Sequence, residues 1–139
     1  MKCRIKWLEH MSFVGESGSG HSVVMDGAPE AGGRNLGVRP MEMLLLGLGG
    51  CTTFDVISIL RKSRQQMVDC EVEIEAERAE SIPKVFTKIH LHFIVSGRDL
   101  DQGKVAKAIS LSADKYCSAS RILEKTAAIT HDFEIVNPD

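Results

Sequence analysis

The chain has little net charge and no long uninterrupted apolar run. Its 17 Lys and Arg residues and 19 Asp and Glu residues give a formal net charge of −2. The signs are mixed along the chain, so nothing indicates a nucleic-acid partner or an anionic membrane surface. No uninterrupted run approaches the ~18 apolar residues of a spanning helix, and residues 1–7 lack the apolar stretch of a signal peptide. We therefore expect no membrane partner and a cytoplasmic location.

The sequence also lacks C-x-x-C pairs, although it contains four cysteines. These are Cys3, Cys51, Cys70 and Cys117. Thiols in a reducing compartment seldom form a static disulfide framework, and structural zinc sites usually use closely spaced cysteine pairs. We expect neither a metal nor a cofactor. The thiols are predicted to be catalytic, transiently oxidised or simply buried.

The remaining composition is typical of an ordinary globular chain. Of the 139 residues, 43% are hydrophobic and 26% are charged, which predicts a single domain over residues 1–139 with one core. Alternation at period two predicts a strand at residues 2–7, with Cys3 facing the core. The run Gly-Glu-Ser-Gly-Ser-Gly at residues 15–20 predicts a hairpin connection between two more strands, near 11–14 and at 21–26. The glycine-rich residues 27–39 are predicted to form a loop that is mobile in part of its length.

A long central helix is predicted from Pro40 to about Gln66. Proline suits the first turn of a helix, and the residues that follow are mostly apolar helix formers. A helix that is apolar nearly all round has to be covered by a sheet or by a partner subunit. Gly49 and Gly50 permit either a local break or the close approach of another backbone or a ligand. A restarted helix would place Cys51 in its N-terminal turn.

The second half of the chain predicts a long hairpin followed by helices and one last strand. Residues 70–76 and 85–95 alternate between apolar and polar, which places Lys88, His90 and His92 opposite the glutamates of residues 71–77. These glutamates explain the histidines without a metal. Asp101 is predicted to cap a helix, with a further helical stretch over residues 117–126 and a strand over 129–136. This order indicates an α+β fold with a mainly antiparallel sheet.

Cys51 and Cys117 are the candidates for chemistry. The free N–H groups and the dipole at a helix N-terminus would favour the Cys51 thiolate, which is the form that attacks a peroxide oxygen. Arg121, one turn after Cys117, could lie beside that sulfur and favour its ionised form. The competing interpretation of both thiols is core packing. Cys3 and Cys70 lie on apolar strand faces and are predicted to be inert.

Asp55 follows Cys51 by one helical turn. Its charge would work against a nearby thiolate unless the carboxylate is paired or turned away. We predict a polar contact of this helix without assigning a purpose to it.

Two segments together resemble a known family. Residues 40–51, Pro-Met-Glu-Met-Leu-Leu-Leu-Gly-Leu-Gly-Gly-Cys, followed by Cys-Ser-Ala-Ser at residues 117–120, are similar to the two-cysteine signature of the OsmC/Ohr family. Arg-Ile-Lys-Trp at residues 4–7, Ser-Gly-Ser-Gly-His at 17–21 and Leu-His-Phe-Ile-Val-Ser-Gly-Arg-Asp-Leu at 91–100 resemble its YhfA-like branch. The resemblance covers essentially the whole chain.

The resemblance implies an OsmC-like fold, in which antiparallel sheets wrap around central helices in an intertwined homodimer. It also implies a thiol-dependent enzyme that reduces organic hydroperoxides at the dimer interface. Cys51 would then be the peroxidatic thiol and Cys117 the resolving thiol, which closes a disulfide. A dithiol such as a lipoyl group or a thioredoxin-like protein would reduce that disulfide.

The family pattern is not fully matched. Family members carry a glutamate directly after the proline, paired with an arginine, whereas here Met41 holds that place and Glu42 follows it. One position turns a helical side chain by about 100°, so the Glu42 carboxylate need not point where the family carboxylate points. Glu42 and Arg39 are the candidate supporting groups, and Arg34 is a further candidate for the arginine.

Two other functions fit the same fold. One is a non-catalytic protein that binds a small hydrophobic molecule against apolar walls formed by Met41, Met43 and Phe54. The other is a redox sensor that forms the Cys51–Cys117 disulfide and signals through a partner protein.

Overall fold

The computed structural model describes residues 1–138 of the chain as an α+β protein with two three-stranded sheets. The strands are β1 Cys3–Glu9, β2 Ser12–Ser17, β3 Ser22–Met25, β4 Gln66–Arg78, β5 Phe86–Arg98 and β6 Ala128–Val136. The helices are α1 Pro40–Lys62, α2 Gln102–Leu111 and α3 Ser118–Leu123, with a 3₁₀ turn at Pro29–Ala31 and a π-helical turn at Ser112–Tyr116. The predicted fold class and order of elements are confirmed. The residues group into two compact units, Met1–Leu46 and a second that begins at Gly47.

The first unit contains the antiparallel sheet β1-β2-β3. All seven residues of β1 are exposed in the single chain, so the prediction that Cys3 faces the core is wrong. The alternation of β1 reflects an apolar face that includes Ile5 and Trp7, both about 60% exposed. The alternation of apolar and polar residues therefore identified the strand, but it does not show whether other residues of the same chain cover the apolar face.

The loop after β3 is organised around the buried carboxylate of Asp26. Its two oxygens accept hydrogen bonds from the Ser12 hydroxyl at 2.9 Å and from the backbone N–H groups of Gly27, Leu36 and Arg34 at 2.7, 3.2 and 3.4 Å. Burial by itself would raise the pKa of Asp26, but these four hydrogen bonds outweigh it and hold the pKa below its usual value. One ionised side chain thus fixes both ends of the loop.

The second unit is built on the hairpin β4–β5, with β6 added in parallel to β5. One face of β5 is fully buried, through Ile89, Leu91, Phe93 and Val95. Helix residues cover this core, namely Leu48, Val56 and Leu60 of α1 and Val105, Ala108 and Ile109 of α2. As predicted, the Asp101 side chain caps α2 by accepting a hydrogen bond from the Lys104 N–H at 3.0 Å. The parallel pairing of β6 departs from the otherwise antiparallel pattern.

The predicted register of the hairpin is confirmed, but the partner of its two histidines is different. Glu73 lies opposite His92 and Glu75 opposite His90. Both imidazoles instead contact Oδ1 of Asp132 on β6, with Nε2 of His90 at 3.0 Å and Nδ1 of His92 at 2.7 Å. The hydrogen bond to Asp132 raises the pKa of His92, and the nearby carboxylate charges reinforce the effect. Asp132 lies on β6, which pairs in parallel with β5, whereas the prediction considered only the two strands of the hairpin.

Helix α1 is long and strongly apolar. An 18-residue window within it has a mean hydropathy of 1.8, so by length and composition it meets the criterion for a membrane span. The expectation that no segment approaches the apolar length of a membrane span is therefore wrong for α1, whose apolar residues are interrupted by glycines and a few polar residues. Core helices of soluble proteins meet the same criterion, which makes one such helix weak evidence for a membrane.

We predict that Asp26→Asn lowers the urea midpoint of unfolding at neutral pH and removes an acid-dependent part of the stability. The folded-state pKa of Asp26 lies below its ordinary value of about 3.9, so the ionised form stabilises the fold above that pH. This contribution disappears as the pH falls through the folded-state pKa. Urea titrations of both proteins between neutral and acidic pH measure the effect. A constant difference between their midpoints at every pH would contradict the prediction.

Candidate thiol site

Helix α1 runs without interruption through Gly47, Gly49 and Gly50. Of the two roles that the sequence left open for these glycines, the local break before Cys51 does not occur, and Cys51 lies in the middle of a 23-residue helix. The glycine at 49 has a packing role, because an added Cβ would lie 3.1 Å from Cδ1 of Ile74 on β4. Close approach of the helix to the sheet explains this glycine, and the Cys51 thiol receives no help from a helix N-terminus.

Cys117 is the thiol that lies at a helix start. The π-helical turn Ser112–Tyr116 ends at Cys117, whose N–H donates to the Ser112 carbonyl at 2.8 Å. Cys117 is then the N-cap of α3, and its sulfur accepts a hydrogen bond from the Ser120 N–H at 3.4 Å. The predicted link of Arg121 to this sulfur is wrong. Its guanidinium donates to the Asp114 carbonyl at 3.0 Å and approaches the Glu124 carboxylate at 3.4 Å.

The fold brings Cys51 and Cys117 together, and Asp55 with them. The two sulfur atoms and a carboxylate oxygen of Asp55 all lie within 4.8 Å of one another. Cys117 is buried, whereas Cys51 and Asp55 are half-buried. Two thiols and one carboxylate therefore share one small volume.

A hydroxyl network holds the Asp55 carboxylate. Ser112 donates to Oδ2 of Asp55 at 2.9 Å, and the hydroxyls of Ser112 and Thr52 are 2.8 Å apart. Because the single proton of Ser112 goes to Asp55, its oxygen is left to accept from Thr52. Both hydroxyls are at most 1% exposed. Sequence reasoning noted the spacing of Asp55 from Cys51 but missed Ser112 and Thr52, since their contacts join positions 60 residues apart.

The cysteine thiols differ in their burial and in the groups that surround them. Burial raises the pKa of Cys117; contacts with Ser120 counteract this in part, and the neighbouring Cys51 adds to the increase. Burial, followed by the charge of Asp69, raises the pKa of Cys70 to about 11, which agrees with the prediction of an inert thiol. Cys3 is exposed rather than core-facing. At neutral pH Cys117 and Cys70 are accordingly protonated.

The candidate supporting groups have local partners in the first unit. Glu42 accepts a hydrogen bond from the Arg39 backbone N–H at 2.8 Å, so its carboxylate caps the start of α1. The Arg39 guanidinium donates to Oδ1 of Asn35 at 2.7 Å, and Arg34 forms an ion pair with Glu9 at 2.7 Å. These contacts are structural, and a role for Glu42 or Arg39 in thiol chemistry stays a prediction.

Fold and site together define an α+β protein with a paired-thiol centre, and comparison with known proteins gives the family. The sequence model of the family described as OsmC-like protein matches residues 32–132. The chain is 52% identical to protein YhfA of Escherichia coli K12, over 98% of each chain. The chain therefore belongs to the OsmC-like family, as the sequence motifs indicated.

Solved structures show the same fold. A structural-genomics structure with 50% sequence identity superposes with a TM-score of 0.89, covering 99% of this chain and 100% of that one. A Legionella pneumophila protein described as an organic hydroperoxide resistance protein OsmC superposes with a TM-score of 0.70 at 12% identity, covering 96% of this chain and 97% of that one. At that identity the second likeness concerns the fold alone.

We predict that Ser112→Ala destabilises the chain by about 1–3 kcal/mol, because the buried Thr52 hydroxyl and the Asp55 carboxylate both lose a partner. Thr53→Val is the matched control. The buried Thr53 Oγ1 has no hydrogen-bond partner among residues 1–138, so its replacement by a methyl group leaves nothing unpaired. Urea unfolding of the two variants measures the difference. Equal stabilities would show that the network contributes nothing.

Proposed function

We propose that the chain is a thiol peroxidase for organic hydroperoxides, in which Cys51 is the peroxidatic thiol and Cys117 the resolving thiol. The observation that carries this proposal is the placement of both sulfurs and the Asp55 carboxylate within 4.8 Å of one another. Family membership supports thiol chemistry. The Legionella pneumophila protein that shares the fold is described as an organic hydroperoxide resistance protein, which suggests the substrate class.

The unequal environments of the thiols support the assignment of roles. A hydroperoxide has to reach the attacking sulfur, and Cys51 is half-buried whereas Cys117 is only 4% exposed. The thiolate is the nucleophile, and burial raises the pKa of Cys117, so Cys117 competes poorly for the peroxide. Its proximity to Cys51 is what a resolving thiol requires.

Reduction of the hydroperoxide would proceed in two steps. The Cys51 thiolate attacks the terminal oxygen of ROOH, the O–O bond breaks, and RO⁻ leaves as the alcohol after taking up a proton. The resulting Cys51 sulfenic acid is attacked by Cys117, a disulfide forms, and water leaves with the sulfenic oxygen and the thiol proton. An external dithiol, such as a lipoyl group or a thioredoxin-like protein, returns both thiols to the reduced form.

We predict that Cys51→Ser and Cys117→Ser each reduce dithiol-coupled turnover of an organic hydroperoxide to the background rate. Cys3→Ser and Cys70→Ser should retain it, since Cys3 and Cys70 lie outside the cluster. In a single-turnover experiment, Cys117→Ser should accumulate a sulfenic acid at Cys51 that a dimedone probe captures. Full activity in either cluster variant would remove that cysteine from the mechanism. Oxidation of the wild type without turnover would instead favour the redox-sensing function.

We also propose that the working form is a homodimer, as is typical of the family. Helix α1 buries one face through Leu48, Val56 and Leu60 but leaves Phe54 75% and Leu46 57% exposed in the single chain. Removal of apolar surface from water drives association, and a second copy of the chain is the partner that the family suggests.

We predict that Phe54→Glu converts the protein to monomers, because a charge would replace an apolar contact on α1. Ile82→Glu is the control, since Ile82 is 89% exposed and lies between β4 and β5, away from the helix. Sedimentation equilibrium gives the mass of each variant. A dimeric Phe54→Glu variant, or a wild type that is already monomeric, would contradict the proposed interface.

A further inference from the structure

The thiol cluster has the composition of a site for a thiophilic metal ion. Two cysteine sulfurs and one carboxylate oxygen, from Cys51, Cys117 and Asp55, lie within 4.8 Å of one another. We propose that in the reduced protein these three side chains bind a divalent cation of the Zn²⁺ class, with one coordination position left open. This proposal goes beyond the peroxidase function, and metal binding by the reduced protein does not depend on it. Only the release of the metal by a hydroperoxide rests on the proposed function.

The donor set fits this class of metal. Sulfur ligands select Zn²⁺ over Mg²⁺ and Ca²⁺, which prefer oxygen, and Zn²⁺ is commonly bound by three protein ligands and one exchangeable ligand. Zinc–sulfur bonds of about 2.3 Å around a tetrahedral ion bring sulfur atoms to roughly 3.8 Å apart. Ligand atoms already within 4.8 Å of one another need only small side-chain rotations to reach that arrangement.

The geometry of the chain also favours chelation. Cys51 and Asp55 are separated by four positions on the continuous helix α1, so their side chains lie on the same face, one turn apart. Cys117 approaches from the segment between the π-helical turn and α3.

The groups behind the ligands resemble those that orient metal ligands in proteins. The Ser112 hydroxyl donates to Oδ2 of Asp55 at 2.9 Å and fixes the carboxylate, while Thr52 fixes Ser112 at 2.8 Å. Such outer groups hold ligands in place and commonly affect metal affinity. The Ser120 N–H donates to Cys117 Sγ at 3.4 Å, which favours the ionised sulfur that a metal requires.

Metal binding and oxidation would exclude each other at this site. A metal held by both thiolates occupies the electron pairs that attack a peroxide, so the bound metal protects the reduced pair. Oxidation by one hydroperoxide removes two electrons from the sulfurs, forms the disulfide and expels the cation. With two protons taken up, the products are the disulfide, the alcohol, water and the free divalent ion.

The proposal is tested on the full-length reduced protein, without peroxide, by titration with Co²⁺ and with Zn²⁺. We expect one ion per chain and, with Co²⁺, a sulfur-to-metal charge-transfer absorption band. Cys51→Ser and Cys117→Ser should each weaken that band and the affinity, and the double variant should lose both. Ser112→Ala should reduce the affinity by about 10-fold and Asp55→Asn by at least as much.

Controls separate this site from other donors on the chain. Cys3→Ser, Cys70→Ser and the double variant His90→Gln/His92→Gln should bind as the wild type does, and circular dichroism checks that every variant is folded. Absence of uptake by the wild type, retention of the band by the double cysteine variant, or loss of binding in the histidine variant would each overturn the proposal. Hydroperoxide turnover by a protein that takes up no metal would overturn it too and leave the peroxidase function standing. Uptake of the metal without hydroperoxide turnover would support the metal site and contradict the peroxidase function.

Discussion

The continuity of helix α1 is the constraint on which the candidate site depends. The helix stays regular through three glycines and packs against β4 so closely at Gly49 that an added Cβ would crowd Ile74. A regular helix places Asp55 one turn from Cys51 on the same face. The packed face through Leu48, Val56 and Leu60 fixes the rotation of the helix against the hairpin core. The direction in which the Cys51 thiol points is thus set by packing.

The second half of the site depends on the way α2 ends. A regular helix would have continued past Ser112, but the chain widens into a π-helical turn, becomes extended at Cys117 and then begins α3. π-Helical turns are often found at functional sites. Here the turn brings both the Ser112 hydroxyl and the Cys117 sulfur towards the same stretch of α1, one to Asp55 and the other to Cys51. A single irregularity therefore supplies two of the contacts that define the cluster.

The two proposed chemistries, thiol peroxidation and metal binding, would use the same three side chains, because both require ionisable sulfurs in a confined, partly buried space. Burial raises the pKa of Cys117 and favours its neutral form. Binding of a metal ion, or formation of a disulfide with an adjacent sulfenic acid, would each remove the proton of that thiol. The hydroxyl network keeps the carboxylate in place in either case. In these proposals the cation binds the reduced pair of thiols, and the disulfide is the oxidised form of the same pair, two electrons away.

The sequence by itself determined the elements that depend on local patterns. Alternating residues gave β4 and β5 with the correct register, Asp101 marked the start of α2, and two short motifs indicated the OsmC-like family. These signals lie within a few residues of one another, so no knowledge of the distant chain is needed to interpret them.

Only the tertiary structure decided how distant segments meet. It showed that α1 continues through its glycines without a break, because the packing of Gly49 depends on β4. It also showed that Asp132, and not a facing glutamate, contacts His90 and His92, because β6 pairs in parallel with β5 from the end of the chain. It also turned Arg121 away from Cys117 and placed Ser112 against Asp55. The physical reason is the same in each case. A contact between positions far apart in sequence depends on packing geometry, which no local pattern encodes.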